Sequence, residues 1–304
     1  MEISKEEFGV IGNAKSWISF FLSSRTQRVI IEHKCSKNFQ LDCGVPQGSC
    51  LGPVLFILYA SGIFNIVKKH LPNAHGYADD TQLYLSFKPS SKSTQDEALK
   101  AIETCIAEVR AWMITHRLKI NDSKTEFLII GSRQQLSKVS IDSITIGASS
   151  VQPVSSVRNL GAWFDENLSM TTHVGKVCSK AFRGLYSIKQ IRKYLSQDAT
   201  KVLIHAFVTS HLDYCNSLLC GIPQYQYSRL QRILNAAARL VCLVPKFNHI
   251  TPVLYDLHWL PVFYRIKFKI ILLVHRSLFN WYCTCLLKEP AQVQELHIIQ
   301  LEVK

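Results

Sequence analysis

Acidic residues are scarce in the second half of this chain. Residues 167–288 hold 16 Lys and Arg against only Asp198, Asp213 and Asp256, whereas residues 1–166 hold 18 against 16 acids. The formal charge of +13 therefore sits almost wholly in one block. A basic block set apart from a nearly neutral one suits a polyanion such as nucleic acid. Long hydrophobic runs are missing as well. The apolar part of the longest uncharged run, Leu51–Val67, carries Gly52, Pro53, Ser61, Gly62 and Asn65, and the apolar run near the C-terminus is interrupted by His275 and Arg276. Buried helices are expected from both, with no transmembrane segment and no membrane partner. The ten cysteines include no CxxC pair, and no secretory pattern opens the chain. Reduced thiols in an intracellular protein, of nucleus or cytoplasm, are the expectation. Internal repeats and low-complexity tracts are absent too.

What is present reads as a folded chain, since 47% hydrophobic residues in 304 can bury one large core or two ordinary ones. A helix is expected over Lys15–Leu22, then two strands, Arg28–Glu32 and Phe39–Cys43, around a turn. Gly44, Pro46 and Gly48 form a loop, with Ser49 placed to cap a helix that runs to Lys68 and Lys69. From Thr94, with Glu97 as a capping box, Leu99, Ile102, Ile106, Val109 and Met113 recur at helical spacing. A turn at Asn121–Ser123 precedes a strand Glu126–Ile130, and strand-like runs follow at Ile141–Ile146 and Val157–Phe164. Beyond Leu168 the pattern is helical: Val174–Leu195, Ala199–Leu219, Tyr227–Val241 and Phe263–Leu278. Trp17, Trp112, Trp163, Trp259 and Trp281 sit among aliphatic neighbours and read as core anchors. His205, His211, Cys215 and Cys220 lack the tight paired spacing of a structural zinc set and read as packed helix.

Between these elements lies HGYADDTQLYLSF, His75–Phe87, which alternates like a hairpin with Asp79 and Asp80 at or beside its tip. Two adjacent carboxylates repel, and the arrangement persists most easily where a cation neutralises both. Hard oxygen ligands with open positions for phosphate are what Mg²⁺ requires in phosphoryl transfer. An Asp-Asp turn exposed to water is the plainer alternative for these residues taken alone.

GVPQGSCLGP at Gly44–Pro53 followed by YADD at Tyr77–Asp80 resembles the palm of reverse transcriptases. The surrounding text, WISFFLSSRTQRVII, LKINDSKTEFLIIG, VRNLGAWFDENLS, SHLDYCNSLLCGIP, LQRILNAAARL and LHWLPVFYRIKFKI, is similar to the jockey-like and chicken-repeat-like non-LTR retrotransposons, over roughly residues 8–280. That resemblance implies an α+β fold: a partial polymerase palm, an antiparallel sheet with helices, over residues 1–166, then an all-helical basic thumb and C-terminal extension over 167–304. It implies RNA-directed DNA polymerase chemistry, a nucleotidyl transfer that takes an RNA template, an RNA–DNA duplex and deoxynucleoside triphosphates, with a two-ion Mg²⁺ site. Asp79 would ligate catalytic metal and Asp80 support it. Gly44, Pro46, Gln47, Gly48 and Ser49 would border the template and incoming nucleotide, with Gly48 admitting a close backbone. Lys124 would lie near the triphosphate as a phosphate contact or proton donor. Leu160 and Gly161 would fall in the primer-gripping hairpin. Lys176, Lys180, Arg183, Lys189, Arg192 and Lys193 would meet phosphates of the duplex backbone without reading sequence.

One departure from that pattern matters. Family members carry, upstream of the text resembling Glu7–Ile31, an apolar strand ending in a further catalytic Asp, and then an aromatic that screens the sugar. MEISKEEFGV contains neither. The expectation is an N-terminally truncated, inactive polymerase; the alternative is a catalytically dead remnant that still binds a duplex through its basic thumb.

Overall fold

The computed structural model describes residues 8–41, 44–46, 48–71 and 73–279, with the backbone of 297–302. Helix α1 (Gly12–Leu22) comes first and buries no residue. No described core residue precedes Leu55, and Trp17 is 54% exposed, so the expectation that it anchors a core fails. Strands β1 (Arg25–Gln27), β2 (Ile30–Ile31), β3 (Lys34–Cys35) and β4 (Phe39–Leu41) nest as a ribbon in which β1 pairs with β4 and β2 with β3. The strand expected over Arg28–Glu32 is cut short because Glu32 and His33 turn left-handed at the ribbon's tip, with φ of 44° and 69°.

Helices α2 (Gly52–Ala60) and α3 (Gly62–His70) cover the single helix expected there. Ser61 between them keeps helical angles, φ −57° and ψ −30°. Next come the hairpin β5 (Asn73–Tyr77) and β6 (Asp80–Leu85), and then α4 (Lys92–Thr115). The expected capping box at Thr94 does not form. The helix begins earlier, at Lys92, so the Thr94 hydroxyl lies inside it and donates to the carbonyls of Lys88 (2.7 Å) and Ser91 (2.8 Å). A short 3₁₀ turn over Asp122–Lys124 leads into β7 (Glu126–Ile129). Helix α5 (Arg133–Leu136) does carry a capping box, Ser132 with Gln135. Two further hairpins follow, β8 (Ile144–Ile146) with β9 (Ser149–Val151), and β10 (Ser156–Asn159) with β11 (Ala162–Asp165).

The remaining described elements are helical but for the last. Helix α6 (Thr171–Ile191) is followed by a 3₁₀ turn, Arg192–Tyr194. Then come α7 (Gln197–Ile204), a π turn (His205–Thr209) and α8 (Ser210–Asp213). A 3₁₀ turn at Asn216–Leu219, α9 (Gln224–Cys242), α10 (Thr251–Asp256) and α11 (Val262–Phe279) complete the set. The one helix expected over Ala199–Leu219 is broken because the π turn shifts its hydrogen-bond register and Cys215 adopts a left-handed φ of 51°. The last strand, β12 (His297–Glu302), returns to the four-stranded sheet, whose order is β5-β6-β12-β7.

Two hydrophobic cores result. One joins α3, α4, β6, β7 and β8 through Ile63, Val67, Leu83, Ile106, Met113, Phe127 and Ile144. The other joins the helices after residue 170 through Val174, Ala181, Leu185, Ile204, Leu230, Leu234 and Val241. Each such aliphatic side chain contributes about 1.5–3 kcal/mol when fully buried. Phe164 of β11 packs against the second core and against a small cluster of Leu128, Ile130 and Val157 beside the first, so this hairpin is the seam between the halves. The fold is α+β, helices with small antiparallel sheets. Among the described residues, no helix is long and apolar enough to cross a membrane.

Candidate nucleic-acid and catalytic site

Tyr77 stands opposite Asp80 in the β5–β6 ladder, so Ala78 and Asp79 make the turn. Ala78 carries a left-handed φ of 56°, a conformation that costs an L-residue about 1–2 kcal/mol. Gly76 packs edge-on against helix α3: a Cβ there would lie 2.5 Å from Cζ of Phe64. The HGYADD stretch thus combines a glycine on which the tip of Phe64 packs with a residue held in strain, both within four residues of Asp79 and Asp80. Each acid is half-buried.

Hydrogen bonds tie this turn to the seam hairpin. Gln82 of β6 donates its amide to Oδ1 of Asn159 in β10, and the Tyr84 hydroxyl donates to Gln82. Asn159 precedes Leu160 and Gly161, which form the β10–β11 turn with φ of 44° and 87°. From the helical half, the Tyr214 hydroxyl donates to the Leu160 carbonyl. The Cys215 thiol beside it, then partial burial, then the Tyr77 hydroxyl push the Tyr214 phenol above its usual range, with Arg158 pulling the other way. Glu126, which opens β7, is raised by burial, while the Arg158 backbone N–H donates to it and opposes the rise. Asp79 and Asp80, Leu160 and Gly161, and the helical half are therefore one connected assembly through Gln82, Asn159 and Tyr214. None of those three linking residues stood out in the sequence.

The Gly44–Ser49 loop is built separately. Gly44 and Gly48 hold left-handed φ of 84° and 79°. The Ser49 hydroxyl donates to the Pro46 carbonyl (2.8 Å) and accepts from the Gly52 N–H (3.0 Å), satisfying a donor at the start of α2. The Arg25 guanidinium donates to the Gly44 carbonyl at 2.6 Å. Gln47 lies outside the described residues. Lys124 is exposed at the end of its 3₁₀ turn.

On α6, Lys176, Lys180 and Arg183 stand at i, i+4 and i+7, hence on one stripe; all three are exposed. Lys176 Nζ sits 5.1 Å from the Trp163 ring centroid, a cation–π contact with the seam. Phe182 and Tyr186, each 63% exposed, flank that stripe. Lys189 lies away from the stripe, and Lys193 folds over the Tyr194 ring at 4.7 Å. Arg192 departs from the expected phosphate set. Its guanidinium donates to the carbonyls of Leu240 (2.8 Å), Leu195 (2.8 Å) and Val241 (3.0 Å), fastening α6 to the C-terminal end of α9.

A magnesium pair needs carboxylates from more than one strand. Asp79 and Asp80 are adjacent, and among the described residues no three His, Cys, Asp or Glu side chains form a group able to hold a metal. Among the described residues, Asp79 and Asp80 alone are too few for a two-ion centre.

Comparison with known proteins adds the lineage. The chain is 24% identical over 250 residues to a probable RNA-directed DNA polymerase from transposon BS of Drosophila melanogaster, an alignment covering 78% of this chain and 26% of that protein. It is 24% identical over 203 residues to a retrovirus-related Pol polyprotein from the type-1 retrotransposable element R1 2 of Nasonia vitripennis, covering 65% of this chain and 48% of that one. It thus spans about a quarter and about half of those relatives' lengths. No solved structure matches the chain. Over residues 3–164, more than half its length, it matches the model of the reverse transcriptase (RNA-dependent DNA polymerase) family, and it belongs to that family.

Proposed function

We propose that these 304 residues are the palm and thumb of a non-LTR retrotransposon polymerase, and that on their own they hold a primed RNA–DNA duplex without extending it. The parent reaction is Mg²⁺-dependent, RNA-templated addition of deoxynucleotides. The observation that carries the reading is the connected assembly: β6, which Asp80 opens, is bonded through Gln82 to Asn159 beside the Leu160–Gly161 turn, and Leu160 is bonded through Tyr214 to the helical half that bears the basic stripe. A polymerase needs that adjacency, with metal-binding acids beside a primer-positioning turn and a cationic helix following the backbone. In this assembly Asp79 and Asp80 would attract the cation, Lys124 and the Gly44–Ser49 loop would meet the nucleotide, and Lys176, Lys180 and Arg183 would take successive phosphates. Phe182 and Tyr186 would pack on sugars between them. No metal-dependent step is assigned, because two adjacent acids make an incomplete centre.

Two measurements test this. With Mg²⁺ or Mn²⁺, nucleotides and a primed RNA template, the chain is expected to extend no primer above an Asp79→Ala control; template-dependent extension that Asp79→Ala abolishes would refute inactivity. Four to six phosphate contacts give a slope of log affinity against log salt of roughly −3 to −5. Replacing Lys176, Lys180 and Arg183 with Ala should reduce that slope by about three, one per lost contact, whereas Lys34, Lys37 and Lys88 changed together should leave it alone. Equal losses from both triples would reduce the binding to net charge.

A further inference from the structure

We propose that the outward face of α11 (Val262–Phe279) is a docking surface for one helix of a partner protein, amphipathic and flanked by Glu or Asp. The helix is apolar on both sides. Its inward row, Val262, Ile266 and Ile270, belongs to the second core. Two polar bonds fasten it there: the Val262 N–H donates to Gln231 Oε1 (2.8 Å) and the Arg265 guanidinium to Asp213 Oδ2 (2.6 Å). On the opposite side Tyr264, Phe268, Ile271, His275 and Leu278 follow one another at spacings of four, three, four and three residues. The four apolar members of that row are 56–66% exposed. Single exposed apolar side chains are common on protein surfaces, but a contiguous apolar row marks an interaction site, and a helix apolar all round is one that is covered all round.

Spacing and charge say what covers it. Alternation of four and three is the a/d seam of a coiled coil, whose complement is another helix, with His275 as the single polar position that sets register. Along its whole length α11 carries four cations, Arg265, Lys267, Lys269 and Arg276, and no acid. At about 100° per residue, Lys267 borders the seam on one side and Arg276 on the other; both are exposed. The Lys267 ammonium lies 4.5 Å from the Phe263 ring centroid, which keeps it at the seam's edge. Charges flanking a seam choose the partner. A second copy of α11 would set cation against cation with nothing to pair, whereas acidic flanks pair on both edges. Basic amphipathic helices of this kind are targets of acidic proteins that offer an apolar face. The proposal goes beyond the duplex-binding reading and does not depend on it, since Lys176, Lys180 and Arg183 all lie on another helix, α6.

The probe is a synthetic helix of three heptads with Leu at a and d and Glu at e and g; its counterpart carries Lys at e and g. In fluorescence anisotropy with the full chain, at an ionic strength that screens distant charges, the Glu probe should bind about ten-fold or more tightly than the Lys probe. Phe268→Ser with Ile271→Ser should weaken the Glu probe by about ten-fold or more. Phe247→Ser with Tyr255→Ser, apolar residues still more exposed in the same half, should not weaken it. All four face solvent, so the melting curve should stay in place. Lys267→Glu with Arg276→Glu leaves the apolar row intact and should reverse the preference between the probes. Failure of the Glu probe to bind, equal binding of both probes, or equal losses from both Ser pairs overturns the proposal. A dimer of the chain alone that Ile271→Ser dissolves overturns it in favour of a second copy, and displacement of the probe by a primed RNA–DNA duplex overturns it in favour of nucleic acid. Phosphatidylserine vesicles that bind the chain but not the Phe268→Ser, Ile271→Ser variant overturn it in favour of a membrane surface.

Discussion

Replacing Gly184 with alanine asks how closely the helical half is packed. Gly184 lies mid-way along α6, where the π turn His205–Thr209 crosses it. A Cβ at this position would come within 2.6 Å of the Phe207 carbonyl oxygen and 3.3 Å of both its carbonyl carbon and its Cβ. Those first two are backbone atoms, which cannot rotate away as a flexible side chain would. Overpacking of that kind costs about 1–3 kcal/mol, while exchanging Gly for Ala within a helix returns up to about 1 kcal/mol. Gly184→Ala should therefore lose about 1–2 kcal/mol. Gly175, nine residues earlier on the same helix, is the internal control. Its nearest neighbour is the end of the Arg229 side chain at 3.9 Å, so Gly175→Ala should show only the propensity gain, up to about 1 kcal/mol. The propensity gain is common to both, so the two variants differ by the overpacking cost, about 1–3 kcal/mol, or about 2–12 °C in melting temperature at roughly 2–4 °C per kcal/mol. Thermal and urea unfolding monitored by far-ultraviolet circular dichroism would measure both. If Gly184→Ala melts with Gly175→Ala or above the parent chain, the close crossing of α6 by the π turn is wrong.

Arg192→Ala should cost about 2–3 kcal/mol by stripping charged donors from the Leu195, Leu240 and Val241 carbonyls; its urea midpoint should fall while the salt slope of duplex binding stays put, and a changed slope would return Arg192 to the phosphate set. His173 is buried, accepts the Trp163 N–H through Nδ1 (3.3 Å), and has its imidazole held below the usual range by burial first and by Lys180 second. The folded state therefore binds fewer protons than the unfolded chain as pH drops below the ordinary histidine value of about 6.5. Stability present above that pH should decline from there towards the lowered folded value; His173→Gln should flatten the decline between pH 7.5 and 5.5 in urea titrations, and an unaltered decline would place its origin elsewhere.

Local chemistry made much of this molecule readable. Alternation broken by two acids located the hairpin tip beside Asp79 and Asp80, and three- to four-residue periodicity located α4 and α6, because each signal lies within one element. Features that depend on distant partners left no local trace. Trp17 has the neighbours of a core residue but no second layer to pack against. Arg192 looks like Lys189 and Lys193 until the end of α9 is placed beside it. Tyr214, Gln82 and Asn159 carry the site's connections, yet each is an ordinary residue in its own segment. The π turn keeps the apolar spacing of a helix while changing its hydrogen bonds, so hydrophobic periodicity passes through it unnoticed.

A ribosome delivers β6 and β7 long before His297–Glu302 leaves the exit tunnel, at about 5–20 residues per second. For that interval the sheet is open along its middle, while the helices after residue 170, rich in local contacts, are free to assemble first. Nascent chains would then be most exposed to chaperones and to aggregation at a segment made early, not at the one being made. Loss of His297–Glu302 alone would leave open, along its middle, a sheet whose other strands were completed by Ile129.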